Sequence, residues 1–297
     1  MDSKTILQKM TLKEKIALCS GQDFWHTKAM KQYGIEALMM CDGPHGLRKQ
    51  EGKADMLGVH NSREATCFPT AVTTACTWNP ELMEIMGQTI AEEALAYGVD
   101  IVLGPGVNIK RNPLCGRNFE YYSEDPLLAG SMAAAMTQGV QSIPGCGTTI
   151  KHFACNNQED NRMGSDSILS ERTLREIYLK GFETAIRSAQ PMAMMTSYNL
   201  INGVHAANNY DICTKAARDE WGFAGAIMTD WTTTEQGDNC TASGCMRAGN
   251  DLVMPGCFGD HDNMHKELAE GTLKIEDLKA CIARLVSVIW KSNQYLQ

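Results

Sequence analysis

Short apolar stretches of this chain end in residues able to do chemistry. The run Ile35 to Cys41 breaks at Asp42-Gly43-Pro44-His45-Gly46-Leu47-Arg48, where glycine and proline force a turn and leave Asp42 and Arg48 on a loop that can converge on a ligand. Thr148 to Phe153 carries Lys151-His152 near its end, followed by the polar run Asn156 to Arg162. Met192 to Thr196 leads into Ser197-Tyr198-Asn199, and Gly225 to Met228 gives way to Thr229-Asp230-Trp231. Arg117 lies between these, in a loop from Arg111 to Asp125 dense in charge and aromatics. A carboxylate at the end of a buried strand is costly unless it is paired or used. Two carboxylates, several hydrogen-bonding cations and an aromatic face suit a neutral polyol, which needs bidentate hydrogen bonds to vicinal hydroxyls and an apolar platform for its C–H face. Asp230 beside Trp231 reads as a catalytic carboxylate next to such a platform. The plainer reading makes Asp230 a helix cap and Asp42 a turn organiser.

The elements that must position these residues alternate along the chain. Strands read at Ile35 to Cys41, Val99 to Leu103, Thr148 to Phe153, Met192 to Thr196, Ala226 to Met228 and Leu252 to Met254. Ala226 to Met228 is apolar at every position rather than every second one, which suits a strand covered on both faces. The capping box Thr11-Leu12-Lys13-Glu14 starts a helix to about Cys19. Asn79-Pro80 opens another to about Tyr97, with Leu82, Ile85, Met86 and Ile90 expected inward, and Pro126 opens a third. Ser170 caps a helix to about Ala189, Tyr210 to Trp221 is helical, and Ile275 to about Lys291 turns Leu278, Ile282, Leu285 and Ile289 inward. Glu51 to Cys67 reads as irregular. The pattern predicts an α/β fold, a (β/α)8-like TIM barrel with up to two strands irregular or missing, whose strand C-terminal ends meet at one mouth.

The 297 residues and 43% hydrophobic content fit one large domain, residues 1–297. A net charge of −8 argues against nucleic acid and anionic membranes as partners. No apolar run approaches the roughly 18 residues of a membrane span. Met1 to Thr5 lacks the apolar core of a signal peptide, and the twelve cysteines are scattered without a CxxC pair, so the expected setting is cytoplasmic with reduced thiols and no metal. No phosphate-binding glycine loop or GxSxG elbow occurs.

Lys151-His152-Phe153-Ala154, Asn156-Asn157-Gln158-Glu159 with Arg162, Ser170 to Glu176, Ser197-Tyr198-Asn199, Glu220-Trp221-Gly222-Phe223 and Thr229-Asp230-Trp231, in that order, resemble glycoside hydrolase family 3. Asp42 to Arg48 and Gly116 to Glu120 fit the same pattern, so the resemblance covers nearly the whole chain. It implies the barrel of a β-glucosidase or related exo-acting enzyme, without cofactor or metal, acting on a small oligosaccharide or β-glycoside. It implies a retaining nucleophile at Asp230, a terminal sugar held by Asp42, Arg117, Lys151, His152, Arg162 and Tyr198, and Trp231 packed against that sugar. Arg48 joins Asp42 as a binding residue. Lys151, His152 and Arg162 are expected to keep the Asp230 pKa low.

The chain departs from the family in one respect. The family's β-glucosidases take their acid/base glutamate from a second, α/β-sandwich domain. Its single-domain N-acetylhexosaminidases use a histidine after the Lys-His strand, where this chain reads Ala154 to Glu159. The expectation is a barrel half lacking the sandwich domain, completed by a domain that carries the acid. Glu159 and Glu235 are the first candidates for an acid within the barrel. The competing reading is a non-catalytic sugar-binding barrel.

Overall fold

The short runs form buried strands: β1 (Met40–Asp42), β2 (Ile101–Leu103), β3 (Gly147–Phe153), β4 (Ala193–Thr196) and β5 (Ala226–Met228), all parallel and hydrogen-bonded in that order. The structure, a computed structural model, describes residues 3–52, 54–55, 60–237 and 239–292. Successive strand residues part between two cores: Cys41, Val102, Ile150, Met194 and Ile227 pack in one, and Met40, Ile101, Met195 and Met228 in the other.

The return from β5 towards β1 is carried by single bridges. Leu252 pairs in parallel with Met228, and Val253 with Ser20. Gly21 then pairs antiparallel with Thr27, and His26 with Met39 beside β1. Gly21 N donates to Val253 O at 3.1 Å, and Thr27 N to Leu38 O at 3.1 Å. Backbone hydrogen bonds thus lead from β5 back towards β1 through irregular segments, in a TIM-barrel-like α/β fold. The expected strand Leu252 to Met254 survives only as these bridges, between Asp251 and Pro255. The expected strand Ile35 to Cys41 is moved: Ile35 closes a turn against Met30, and the barrel strand begins at Met40.

The helices hold the strands from outside. Asn79 Oδ1 accepts from Leu82 N at 3.1 Å, and Pro80 starts the helix Pro80–Ala96. Its inward face corrects the expected one. Met83, Met86, Gly87, Ile90, Ala91 and Ala94 are buried, while Leu82 and Ile85 are exposed. The cause is close approach: a Cβ at Gly87 would lie 2.6 Å from Met136 O of the helix Pro126–Gln141, so the small residues set the contact. The helix capped by Ser170 is not uniform. It widens to a π turn at Leu174–Tyr178 before Lys180–Ala189, and the extra residue turns Ile177 outward. The helix Ile275–Ile289 buries Leu278, Ile282, Leu285 and Ile289 as its spacing requires. A small sheet of Asp166–Ser167, Leu200–Ile201 and Val204–His205, absent from the sequence reading, crosses the mouth side of β3 and β4. All twelve cysteines are free thiols. No described helix is long and apolar enough to cross a membrane.

Candidate active site

A cavity of ≈ 540 Å³ opens at the strand C-terminal ends, within the usual range for small-ligand pockets. Asp42, Arg48, Arg117, Lys151, His152, Arg162, Tyr198, Asp230 and Trp231, singled out in the sequence, all line it. Asp42 ends β1, and the turn after it brings Arg48 back, its N–H donating to Asp42 O at 2.8 Å. That turn needs Gly46, at φ +120°, because a side chain there would strike Thr66 O. Lys151 and His152 both face the cavity, although neighbours on a regular strand point oppositely. The β3–β4 register shifts between Ile150 and Phe153, and such a bulge re-aims side chains. Asn108 fixes the bulge, donating from Nδ2 to His152 O at 2.9 Å and accepting from Asn156 N at 3.0 Å.

Charges alternate along one wall. Arg48 Nη2 lies 2.6 Å from Asp42 Oδ2, and Lys151 Nζ lies 3.1 Å from Asp42 Oδ1. Lys151 Nζ stands 4.0 Å from Glu120 Oε2, whose other oxygen pairs with Arg117 Nε. Burial pushes the Asp42 carboxyl up, but Lys151, Arg48 and Arg117 overcome it and hold the pKa down at about 2. Asp42 is therefore an anion and an acceptor for sugar hydroxyls.

Asp230 sits at the far end of this wall, 7% exposed. Its Oδ1 accepts from Trp231 N at 2.7 Å, while Oδ2 accepts no hydrogen bond of regular geometry, although the Tyr198 hydroxyl stands beside the carboxylate and helps hold its pKa down. Tyr198 Oη, close by, instead donates to Trp231 O at 2.8 Å. His152 Nε2 lies 3.6 Å from Oδ2, too far for a hydrogen bond. Asn156 Nδ2 donates to Tyr121 Oη at 3.0 Å, so the Tyr121 proton is available for His152 Nδ1 at 2.8 Å, and the imidazole proton falls on Nε2. Burial, then Arg117, Lys151 and Arg162, push the His152 pKa well down, so the ring is neutral.

Here the structure corrects the sequence reading. Burial raises the Asp230 pKa above the ordinary aspartate value, and Arg117, the Trp231 N–H and Lys151 only partly oppose it. His152, counted as a cation, carries no charge to lower it. Arg162 is drawn aside, its Nη1 3.0 Å from Glu159 Oε2 and its guanidinium 4.5 Å from the Tyr198 ring centroid.

Trp231 is buried, its Nε1 donating to Phe24 O at 2.7 Å. Trp25, whose ring centroid is 5.6 Å from that of Trp231, extends the aromatic surface into the cavity. Sequence reasoning missed Phe24, Trp25, Asp55, Phe68, Glu120 and Met195, all lining residues. Glu120 lay inside a motif already noticed, whereas the aromatics come from loops with no periodic signal. Glu159 and exposed Glu235 are not among the lining residues, and Glu159 pairs with Arg162, which is one of them. Among the described residues no cluster of three or more His, Cys, Asp or Glu could hold a metal.

Residues 30–288 match the Glycosyl hydrolase family 3 N terminal domain. The chain belongs to glycosyl hydrolase family 3. It is 47% identical over 291 residues to thermostable beta-glucosidase B of Acetivibrio thermocellus, covering 98% of this chain and 38% of that protein. It is 44% identical to an exo-alpha-(1->6)-L-arabinopyranosidase of Bifidobacterium breve, covering 97% of this chain and 37% of that one. Beta-glucosidase 3B from Thermotoga neapolitana, solved in complex with glucose, superposes with a TM-score of 0.90 at 40% identity, over 99% of this chain and 43% of that one. The family 3 barrel described here thus spans under half the length of these relatives.

Proposed function

We propose that this family 3 barrel is the nucleophile-bearing part of a retaining, exo-acting β-glycosidase of β-glucosidase type. The observation that carries the reading is Asp230: a buried carboxylate whose Oδ2 accepts no hydrogen bond of regular geometry, in a sugar-sized cavity. A pure binder gains nothing from such an oxygen, since burying it is costly. In the reaction Oδ2 attacks the anomeric carbon, the bond to the leaving oxygen breaks, and a glycosyl ester forms on Asp230. Asp42, Lys151 and His152 hold ring hydroxyls with hydrogen bonds that strengthen as positive charge develops. Twelve free thiols fit a reducing compartment, which we take to be the cytoplasm.

The leaving oxygen needs a proton, and a positioned acid contributes about 10²–10⁴-fold. Asp42 and Glu120 are ion-paired anions, so we assign the acid to a complementary domain of the kind the longer relatives have room for. The 297-residue chain should therefore hydrolyse cellobiose very poorly yet accept a dinitrophenyl β-glucoside, whose leaving group departs unprotonated. Azide should speed the second step and give a β-glycosyl azide, the product of two inversions. An α-azide from the wild-type chain refutes the covalent route. Efficient cellobiose hydrolysis moves the acid into this chain, with Asp55 the lining carboxylate to replace first.

Two further outcomes follow. In calorimetry Lys151→Ala should weaken a monosaccharide inhibitor by about 1.5–3 kcal/mol, the range for hydrogen bonds to charged groups, and His152→Ala, which removes a neutral ring, by about 0.5–1.5 kcal/mol. Unchanged affinity would place both outside the sugar site. Because Asp230 must be ionised to attack and its pKa is raised, activity should be lost on acidification above the ordinary aspartate value. Arg117 is the largest charge holding that pKa down, so Arg117→Gln should move the acid limb of kcat/KM to still higher pH. A limb that moves down contradicts the assignment.

A further inference from the structure

Glu120 is a buried anion, 4% exposed, that the mechanism above does not use. It lies on the turn Asn118–Glu120, three residues after Arg117, and its two oxygens face two different cations. One pairs with Arg117 Nε, and the other stands 4.0 Å from Lys151 Nζ. Lys151 is shared, its Nζ 3.1 Å from Asp42 Oδ1. Arg117 in turn bears on Asp230 through space. The wall therefore reads Arg48, Asp42, Lys151, Glu120, Arg117, Asp230, with sign alternating at each step.

We propose that Glu120 is a positioning residue that keeps Arg117 and Lys151 turned along the wall, and so leaves Asp230 Oδ2 bare and nucleophilic. Without the Glu120 charge, Asp230 and Asp42 are the anions left to draw Arg117, which bears on both. A guanidinium moving onto Oδ2 would cover the oxygen that has to attack and would stabilise the carboxylate at the expense of its basicity. The groups that face Asp230 are His152 and Lys151 from β3, Arg117 from the loop before it and Tyr198 after β4, with Arg162 from the loop after β3 bearing on His152 and stacked over Tyr198. His152 is neutral and Arg162 is engaged by Glu159, so Arg117 and Lys151 are the cations whose placement can change most. Glu120 touches both.

The kinetic side of this inference rests on the hydrolase reading; the structural side does not. Glu120→Gln keeps the shape and removes the charge. In NMR of isotope-labelled aspartate, with the Asp230 signal assigned from Asp230→Asn, the Asp230 carboxyl should titrate at lower pH in Glu120→Gln than in wild type. With a dinitrophenyl β-glucoside, kcat should fall on the order of 100-fold, the size of effect an ångström-scale misplacement produces, and the acid limb should shift down with it. Arg117→Gln/Glu120→Gln, which leaves no extra cation in the wall, should return the Asp230 titration to higher pH and serves if the single variant folds poorly. If wild type turns over no glycoside, the hydrolase reading fails, and the titrations still decide the role of Glu120. An unchanged Asp230 titration in Glu120→Gln, or one no higher in the double variant, overturns the proposal and leaves Glu120 a structural ion pair.

Discussion

Replacing Asp230 with alanine should lower turnover of a dinitrophenyl β-glucoside by about 10⁴–10⁶-fold, the scale seen when a nucleophile is removed from a site that otherwise stays intact. The remaining cavity still binds sugar, because Asp42, Arg48 and Lys151 hold one another in place without Asp230. Stability should be unchanged or higher, since the deletion removes a buried carboxylate with a bare oxygen. Added azide should then enter the space the side chain vacates and displace dinitrophenolate in one step, giving the α-glycosyl azide. The pair of products, β from wild type and α from the variant, separates a nucleophile from a merely important residue. Residual activity within about tenfold of wild type would place the nucleophile elsewhere.

The largest stability effect should come from Asp251, away from the mouth. This carboxylate is fully buried, with Arg218 Nη2 2.7 Å from Oδ2 and Arg284 Nη2 2.7 Å from Oδ1. Oδ2 also accepts from Ile227 N at 2.8 Å, which ties the pair to β5, the strand that presents Asp230. Breaking a buried ion pair from one side leaves uncompensated charge and costs about 3–5 kcal/mol. Asp251→Ala should lose that much in denaturant unfolding and on the order of 10 °C in Tm. A loss below about 1 kcal/mol, as for an exposed pair, would mean that water reaches the two arginines once the carboxylate is gone.

The site was legible because Asp42, Lys151, His152 and Asp230 are charged or polar groups at or near the ends of short, mostly apolar runs. What escaped had physical reasons. Leu82 and Ile85 look like part of the inward face of Met86 and Ile90, but Gly87 lets two helices approach so closely that Met83, Ala91 and Ala94 face in with those two instead. The closing segments Ser20-Gly21 and His26-Thr27 make single bridges, too short to leave a periodic signal. The sign of the Asp230 shift was misread because charges can be counted in a sequence, whereas burial and the neutrality of His152 cannot. Trp25 and Asp55 reach the cavity from loops whose course only the fold supplies.

The central claim, that Asp230 Oδ2 is the covalent nucleophile, is tested most directly by trapping. A 2-deoxy-2-fluoro β-glucoside with a dinitrophenyl leaving group slows both steps but the second more, so the ester accumulates. Mass spectrometry of the intact 297-residue chain should show one fluoroglucosyl group per molecule, and the peptide map should place it on Asp230. An adduct on any other residue, or full labelling of Asp230→Ala, would contradict the account.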